Sequence, residues 1–122
     1  MREIVKTKFV SLNEFDLMTM ANEQRMKGAD RFLVFNSSGE VSGVLPNVLV
    51  NKAAEQKDLE SNVQKYMNPL FEKVDAGMSL KVLIDKFTKN KYTIVPVYEE
   101  DVLIGVVNID AINEFIGKNQ RK

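Results

Sequence analysis

The sequence predicts a mixed α/β (α+β) fold made of two pseudo-symmetric βαββα repeats packed sheet to sheet. Overlaying Gly105 on Gly43, an offset of 62 residues, aligns residues 94–97 with residues 32–35, and both segments are apolar. The apolar stripe of the last helix recurs in the first half at the same offset. Because one such repeat could not cover its own sheet, we expect the two to bury their sheet faces together.

The composition suits one small module spanning residues 1–122, with repeat one at about 1–58 and repeat two at about 59–122. Of the 122 residues 44% are hydrophobic, and 17 basic residues balance 17 acidic ones, so no net charge favours nucleic acid as a partner. No apolar run approaches the ~18 residues of a membrane span, and the N-terminus lacks the apolar region of a signal peptide. We therefore expect a cytoplasmic protein without direct membrane insertion.

The chain contains neither cysteine nor histidine. The absence of cysteine excludes disulfides and thiolate zinc sites, and the absence of histidine removes the commonest general base and metal ligand. No nucleophile with a neighbouring base can be assembled from the remaining residues. The sequence therefore favours a protein that is not an enzyme and holds no metal.

In the first repeat, loose alternation over residues 4–10 predicts a short edge strand. Ser11 with Glu14 forms a capping-box pattern, so Ser11 is the predicted N-cap of a helix that ends at Gly28. The segment from Ser11 to Gly28 is six residues longer than its counterpart in repeat two. The helix is therefore longer in repeat one, or it begins nearer Asp16.

The pattern then changes to two short apolar runs around a turn, at residues 32–35 and 41–45, which predicts a β-hairpin. Pro46 suits the first turn of the following helix, and Asn47 is interpreted as its cap. The polar residues 55–60 join the repeats. A further turn or two of helix at residues 63–67 is ended by the proline that follows Asn68.

Repeat two repeats this order, with a short strand at residues 71–74 and a helix that begins at Ser79. Asn90 is the predicted left-handed residue at the end of that helix. Strands follow at 92–98 and 102–107, and the acidic residues 99–101 between them are interpreted as a solvated turn rather than a cation site.

These residues carry a resemblance to a known family. The second repeat contains five motif segments, which are Val63-Gln-Lys-Tyr-Met67, Ser79-Leu80, Tyr92-Thr-Ile-Val-Pro-Val97, Leu103-Ile-Gly-Val-Val107 and Ile112-Asn-Glu-Phe-Ile116. With the weaker first copy, the chain resembles a tandem pair of cystathionine-β-synthase-type (CBS) domains, called a Bateman module. The run from Gly43 to Asn47 is also similar to CBS pairs appended to site-2-protease-like membrane zinc metalloproteases.

The resemblance implies a regulatory module with no obligatory cofactor, whose candidate ligands are AMP, ATP or S-adenosylmethionine in the inter-repeat cleft. The family motif places a hydroxyl and, three residues later, a carboxylate at the end of the second hairpin strand. Here Asn108 stands at the hydroxyl position and Ala111 at the carboxylate position, while Asp110 comes one residue early. The candidate ligand-binding residues are Asn108, Asp110, Tyr92, Thr93, Ile94 and Val95.

Two readings of these residues stay open. Asn108 and Asp110 can cap the last helix as well as bind a ligand, and residues 92–95 can simply be buried strand. The leading hypothesis is a homodimer that senses an adenine nucleotide or related adenosyl ligand and signals to an attached or partner protein of unknown identity. The alternative is a ligand-free structural module for dimerisation or protein docking.

Overall fold

The computed structural model describes residues 2–120, with side chains for residues 3–118. The chain divides into two units. The first unit is Val10–Phe71, and the second joins the segment that ends at Phe9 to the segment that begins at Glu72. Each unit holds one three-stranded sheet with helices, so the predicted mixed α+β fold is confirmed.

The first unit contains three strands and three helices. Strand β1 runs parallel to β2, and β2 runs antiparallel to β3. The elements are β1 (Ser11–Asn13), α1 (Met18–Met26), β2 (Arg31–Phe35), β3 (Val41–Pro46), α2 (Asn47–Glu55) and α3 (Val63–Tyr66).

The second unit repeats this sheet, with β4 parallel to β5 and β5 antiparallel to β6. Its elements are a 3-10 helical turn (Arg2–Ile4), β4 (Val74–Asp75), α4 (Leu80–Asn90), β5 (Ile94–Glu99), β6 (Val102–Asn108) and α5 (Ile109–Gln120). Among the helices of residues 2–120, none is both long and apolar enough to cross a membrane.

Each unit has its own apolar core between its sheet and its helices. In the second unit, Val95 and Val97 project from β5 onto Leu83 and Phe87 of α4 and Ile112 of α5. Alternation along a strand sends every second side chain to this face. Each fully buried side chain of this size contributes about 1.5–3 kcal/mol, so the core fixes the position of β5.

Helix α1 begins at Met18, and the prediction that Ser11 caps it is wrong. Ser11 instead opens β1, where it pairs with Leu33 of β2, so strand pairing overrides the capping-box pattern. The alternative start near Asp16 is confirmed. Leu17 occupies the N-cap without a side-chain hydrogen bond, at the position equivalent to Ser79, whose Oγ accepts the Val82 N–H at 3.2 Å.

Two other boundary predictions are wrong. Asn90 ends α4 in helical geometry, and the left-handed residue is Lys91, with φ of 54°. Asn47 is the first residue of α2 rather than its cap, because Pro46 holds the extended N-cap position. The predicted acidic turn is confirmed, since Glu100 and Asp101 join β5 to β6 with φ of 51° and 65°.

Residues 4–10 do not form the predicted strand. They belong to a segment, residues 2–9, that we call the first strap; it packs in the second unit and pairs with β6 through a bridge between Lys6 and Val106. Residues 63–71, the second strap, pack in the first unit, where Asn68 bridges to Val44. Both bridges obey the 62-residue offset. The predicted division near residue 58 therefore concerns the sequence repeats, and the units form by exchange of straps.

Candidate functional site

The junction between β6 and α5 is organised by Asn108. Its Oδ1 accepts the backbone N–H of Ala111 at 2.9 Å, which caps the helix. The N–H of Ile109 donates to the carbonyl oxygen of Thr93 at 2.9 Å, so the start of α5 is tied to the start of β5. The Nδ2 group of Asn108 can still donate to a ligand.

The structure brings four of the six predicted site residues to this end of the sheet. Ile94 pairs with Asn108 across the two strands, with Thr93 just before it. Asp110 lies exposed in the first turn of α5, where a carboxylate interacts favourably with the helix dipole. Ala111 is buried, so no carboxylate stands at the position where the family resemblance expects one.

Tyr92 and Val95 project elsewhere. The Tyr92 ring packs edge-to-face on Phe87 of α4, with 6.0 Å between centroids, and its hydroxyl lies 3.4 Å from Glu72 Oε1. Burial raises the pKa of Tyr92, and the Glu72 carboxylate raises it further. Glu72 also accepts a 2.7 Å hydrogen bond from Lys86, which raises the pKa of that amine. Val95 is fully buried in the core.

A pocket of about 320 Å³ adjoins the junction at Ala111, between the first strap and α5. Its charged side chains are those of Glu3, Lys6, Glu114 and Lys118. Apart from Glu3, these charged groups make no hydrogen bond or ion pair with other described residues. The lining residues are Glu3, Ile4, Lys6, Ala111, Glu114, Phe115 and Lys118.

None of the six predicted residues lines this pocket. Sequence reasoning missed the strap residues because an overlay of linear repeats does not reveal that residues 2–9 pack against α5. A signal for the α5 residues was present, since Glu114, Phe115 and Lys118 lie one and two turns beyond Ala111 on a predicted helix.

A second pocket of about 370 Å³ lies at the turn between β5 and β6. Its lining includes Asp75, Glu99 and Glu100, so it repels an anionic ligand. Among the described residues, no three carboxylates are grouped to hold a metal ion. The pocket beside α5 is therefore the better candidate for a phosphate- or carboxylate-bearing ligand.

The equivalent junction of the first unit differs in one respect. Asn47 Oδ1 is buried and has no hydrogen-bond partner among the described residues. The Asn47 N–H donates to the Asp30 carbonyl at 2.8 Å, so the backbone of the junction is held while its side-chain acceptor is not. Pro46 stands where the second unit has Asn108, and no side chain caps α2.

Comparisons with known proteins agree with this architecture. Residues 63–118 match the family model for the CBS domain. No curated protein is significantly similar to the chain in sequence.

Solved structures match over nearly the whole chain. The CBS domain pair of protein MJ0100, in complex with 5-methylthioadenosine and S-adenosyl-L-methionine, is 15% identical with a TM-score of 0.82, and the match covers 97% of this chain and 95% of that one. Staphylococcus aureus OpuCA is 14% identical with a TM-score of 0.74, covering 97% of both. The cytosolic domain of the Mg²⁺ channel MgtE in complex with ATP is 20% identical with a TM-score of 0.73, covering 92% of this chain and 46% of that one.

Proposed function

Because the chain has the fold of a tandem CBS domain pair, and residues 63–118 match the CBS domain family, we propose that it is a non-enzymatic regulatory module that senses an adenosyl ligand. The ligand is an adenine nucleotide or S-adenosylmethionine. Its binding shifts the module between two arrangements with different affinity for the ligand, and so passes a signal to an attached or partner protein.

The pocket between the first strap and α5 is the observation that carries this proposal. Lys6 and Lys118 offer ammonium groups to a phosphate or carboxylate, and Glu114 offers acceptors to ribose hydroxyls. Phe115 supplies an aromatic ring for the base. At about 320 Å³ the pocket is near the lower end of the range for small-molecule sites, about 300–1,000 Å³, which favours a ligand the size of AMP over ATP.

Two titratable solutes in the structural neighbours support the ligand class. The MJ0100 pair was solved with S-adenosyl-L-methionine and 5-methylthioadenosine, and the MgtE domain with ATP. All three ligands contain adenosine. For this chain, Asn108 Nδ2 and Asp110 stand nearest the pocket among the predicted residues, one to three positions before Ala111 on the same helix.

Isothermal titration of the whole chain with AMP, ADP, ATP and S-adenosylmethionine tests the proposal. We expect saturable heat with at least one ligand, and an affinity about ten-fold lower for Lys6→Ala, because a hydrogen bond to a charged group is lost. Lys81→Ala, an exposed lysine on α4, is the matched control and should bind like the wild type. No heat and no thermal shift at millimolar ligand would end the sensing claim.

The second candidate is a ligand-free module for dimerisation or docking. It is favoured by the capping role of Asn108, whose Oδ1 is already engaged, and by the buried Ala111. A dimer whose mass and melting temperature ignore all four ligands would select it. In both cases we propose a homodimer that acts in the cytoplasm, because nothing in a cysteine-free chain requires an oxidising compartment.

A further inference from the structure

The first and second straps are held at one equivalent point. Lys6 and Val106 exchange backbone hydrogen bonds of 2.8 and 2.9 Å, and Asn68 and Val44 exchange bonds of 2.8 and 3.0 Å. Beneath each bridge lies a glycine. A Cβ added to Gly105 would stand 2.5 Å from the Lys6 carbonyl oxygen, so the close approach of the first strap requires this glycine.

The second strap has further anchors at both ends. The N–H groups of Val63 and Gln64 donate to the carbonyls of Asp16 and Glu14 at 2.8 and 2.9 Å. Val63 is fully buried in the core of the first unit, and Tyr66 is nearly so.

Side chains add to this attachment. The Tyr66 hydroxyl lies 2.7 Å from Asp58 Oδ2, and Lys65 Nζ lies 2.6 Å from the same atom. Asp58 itself follows α2 and is held to Ser61 by a 2.6 Å bond from the Ser61 hydroxyl. The second strap is thus fixed by backbone, core and charged contacts together.

The first strap has a lighter attachment. Besides the bridge at Lys6, it places Ile4 in the core of the second unit and the half-buried Val5 against Gly105. Each additional backbone hydrogen bond contributes about 0.5–1.5 kcal/mol net, and segments with fewer such bonds open at lower free energy. The first strap should therefore open before the second.

Opening of the first strap would remove one wall of the candidate ligand pocket. Glu3, Ile4 and Lys6 form that wall, and residues of α5 form the other. A ligand that touches both walls binds the closed strap and not the open one, so it must favour closure by mass action.

We propose that the first strap is a releasable clamp on α5, and that a ligand in the pocket signals by closing it. The identity of the ligand rests on the function proposed above, whereas the unequal attachment of the straps stands without it. The moving part is then the segment that leads into the chain's first strand, and α5 is its fixed seat.

Amide hydrogen exchange on the full chain, followed by NMR, tests the unequal attachment directly. The N–H groups of Val106 and Val44 are matched probes, since each is a valine donating to its strap at an equivalent position. We expect Val106 to exchange at least about ten-fold faster than Val44 without ligand. Equal exchange, or faster exchange at Val44, would overturn the proposal.

Gly105→Ala should push the first strap away and speed exchange at Val106 by a further factor of about ten, with Val44 unchanged. Gly117→Ala is the control, because its added Cβ meets nothing within 4 Å. If Gly105→Ala does not fold by circular dichroism, Ile4→Ala replaces it by removing the core anchor. A folded variant with unchanged exchange at Val106 would count against the clamp.

The last measurement adds AMP as the probe. Saturating AMP should slow exchange at Val106 in the wild type and leave Val44 unchanged. If calorimetry shows binding while Val106 is unaffected, the clamp is not coupled to the ligand and the proposal fails. If calorimetry shows no nucleotide binding, the proposed function fails, and the two measurements above decide on the clamp.

Discussion

Asn108 occupies the N-cap of α5, where its Oδ1 accepts the Ala111 N–H at 2.9 Å. The equivalent position in the first unit is Pro46, which leaves α2 without a side-chain cap. The sequence predicted that Asn108 could cap or bind a ligand, and the structure assigns the capping. It also predicted a cap at Asn47, which fails because a proline one residue earlier takes that backbone position.

Replacing Asn108 with alanine should lower the free energy of unfolding by about 1 kcal/mol, because the first turn of α5 loses a side-chain acceptor. For a chain of this length that corresponds to a fall in melting temperature of about 3–5 °C. Thermal unfolding by circular dichroism measures it. Asn113→Ala, an exposed asparagine inside the same helix, should melt within about 1 °C of the wild type, since alanine is the better helix former. Equal melting of Asn108→Ala and Asn113→Ala would contradict the capping role.

At the scale of elements, the hairpins and the helices of repeat two were predictable because their apolar periodicity agrees with their pairing. Ser79 caps α4 as its pattern predicts. The same kind of pattern at Ser11 misled, because residues 11–13 find strand partners in β2 and the helix waits until Met18. The start of α1 is thus set by tertiary pairing, which local sequence does not contain.

The connection between α2 and the second strap depends on the Asp58 carboxylate. Hydrogen bonds from Lys65, Ser61 and Tyr66 lower the pKa of Asp58 well below its ordinary value of 3.8. The same contact raises the pKa of Lys65 and of Tyr66. A carboxyl group with a depressed pKa stabilises the fold above its unfolded pKa, and this stabilisation is lost as pH falls toward the folded value.

Asp58→Asn should therefore destabilise the chain at pH 7, and the difference from the wild type should shrink as pH falls below about 4. Urea unfolding at a series of pH values measures this. Asp85→Asn, on the exposed face of α4, is the control and should show no comparable loss at pH 7. A constant difference between Asp58→Asn and wild type from pH 7 to pH 3 would show that charge is not the cause.

For the whole molecule, the duplication was predictable and the exchange of straps was not. The offset of 62 residues relates α4 to α1, α5 to α2 and one bridge to the other. Sequence similarity, however, joins residues 63–71 to the repeat that follows them, whereas their hydrogen bonds lie in the unit that precedes. The candidate pocket was missed for the same reason, since half of its lining comes from an exchanged segment.

The duplication also leaves one apolar residue exposed at an equivalent place on each unit. Met20 on α1 is 45% exposed and Val82 on α4 is 44% exposed, and the two positions differ by the repeat offset. Polar residues are the usual choice on a solvated helix face, so a pair of equivalent apolar residues indicates a surface that a second copy covers in the proposed homodimer.

The double substitution Met20→Glu and Val82→Glu should convert the homodimer to a monomer, because four carboxylates would be desolvated at the interface of two copies. Light scattering coupled to size exclusion should give twice the chain mass for wild type and the chain mass for the variant. Val102→Glu is the matched control, since Val102 is an apolar residue exposed by 63% in the hairpin and away from the helices. If the double variant stays dimeric while folded, these helix faces are not the interface. If the control also dissociates, charge alone separates the copies, and the two helices have no special part in holding them together.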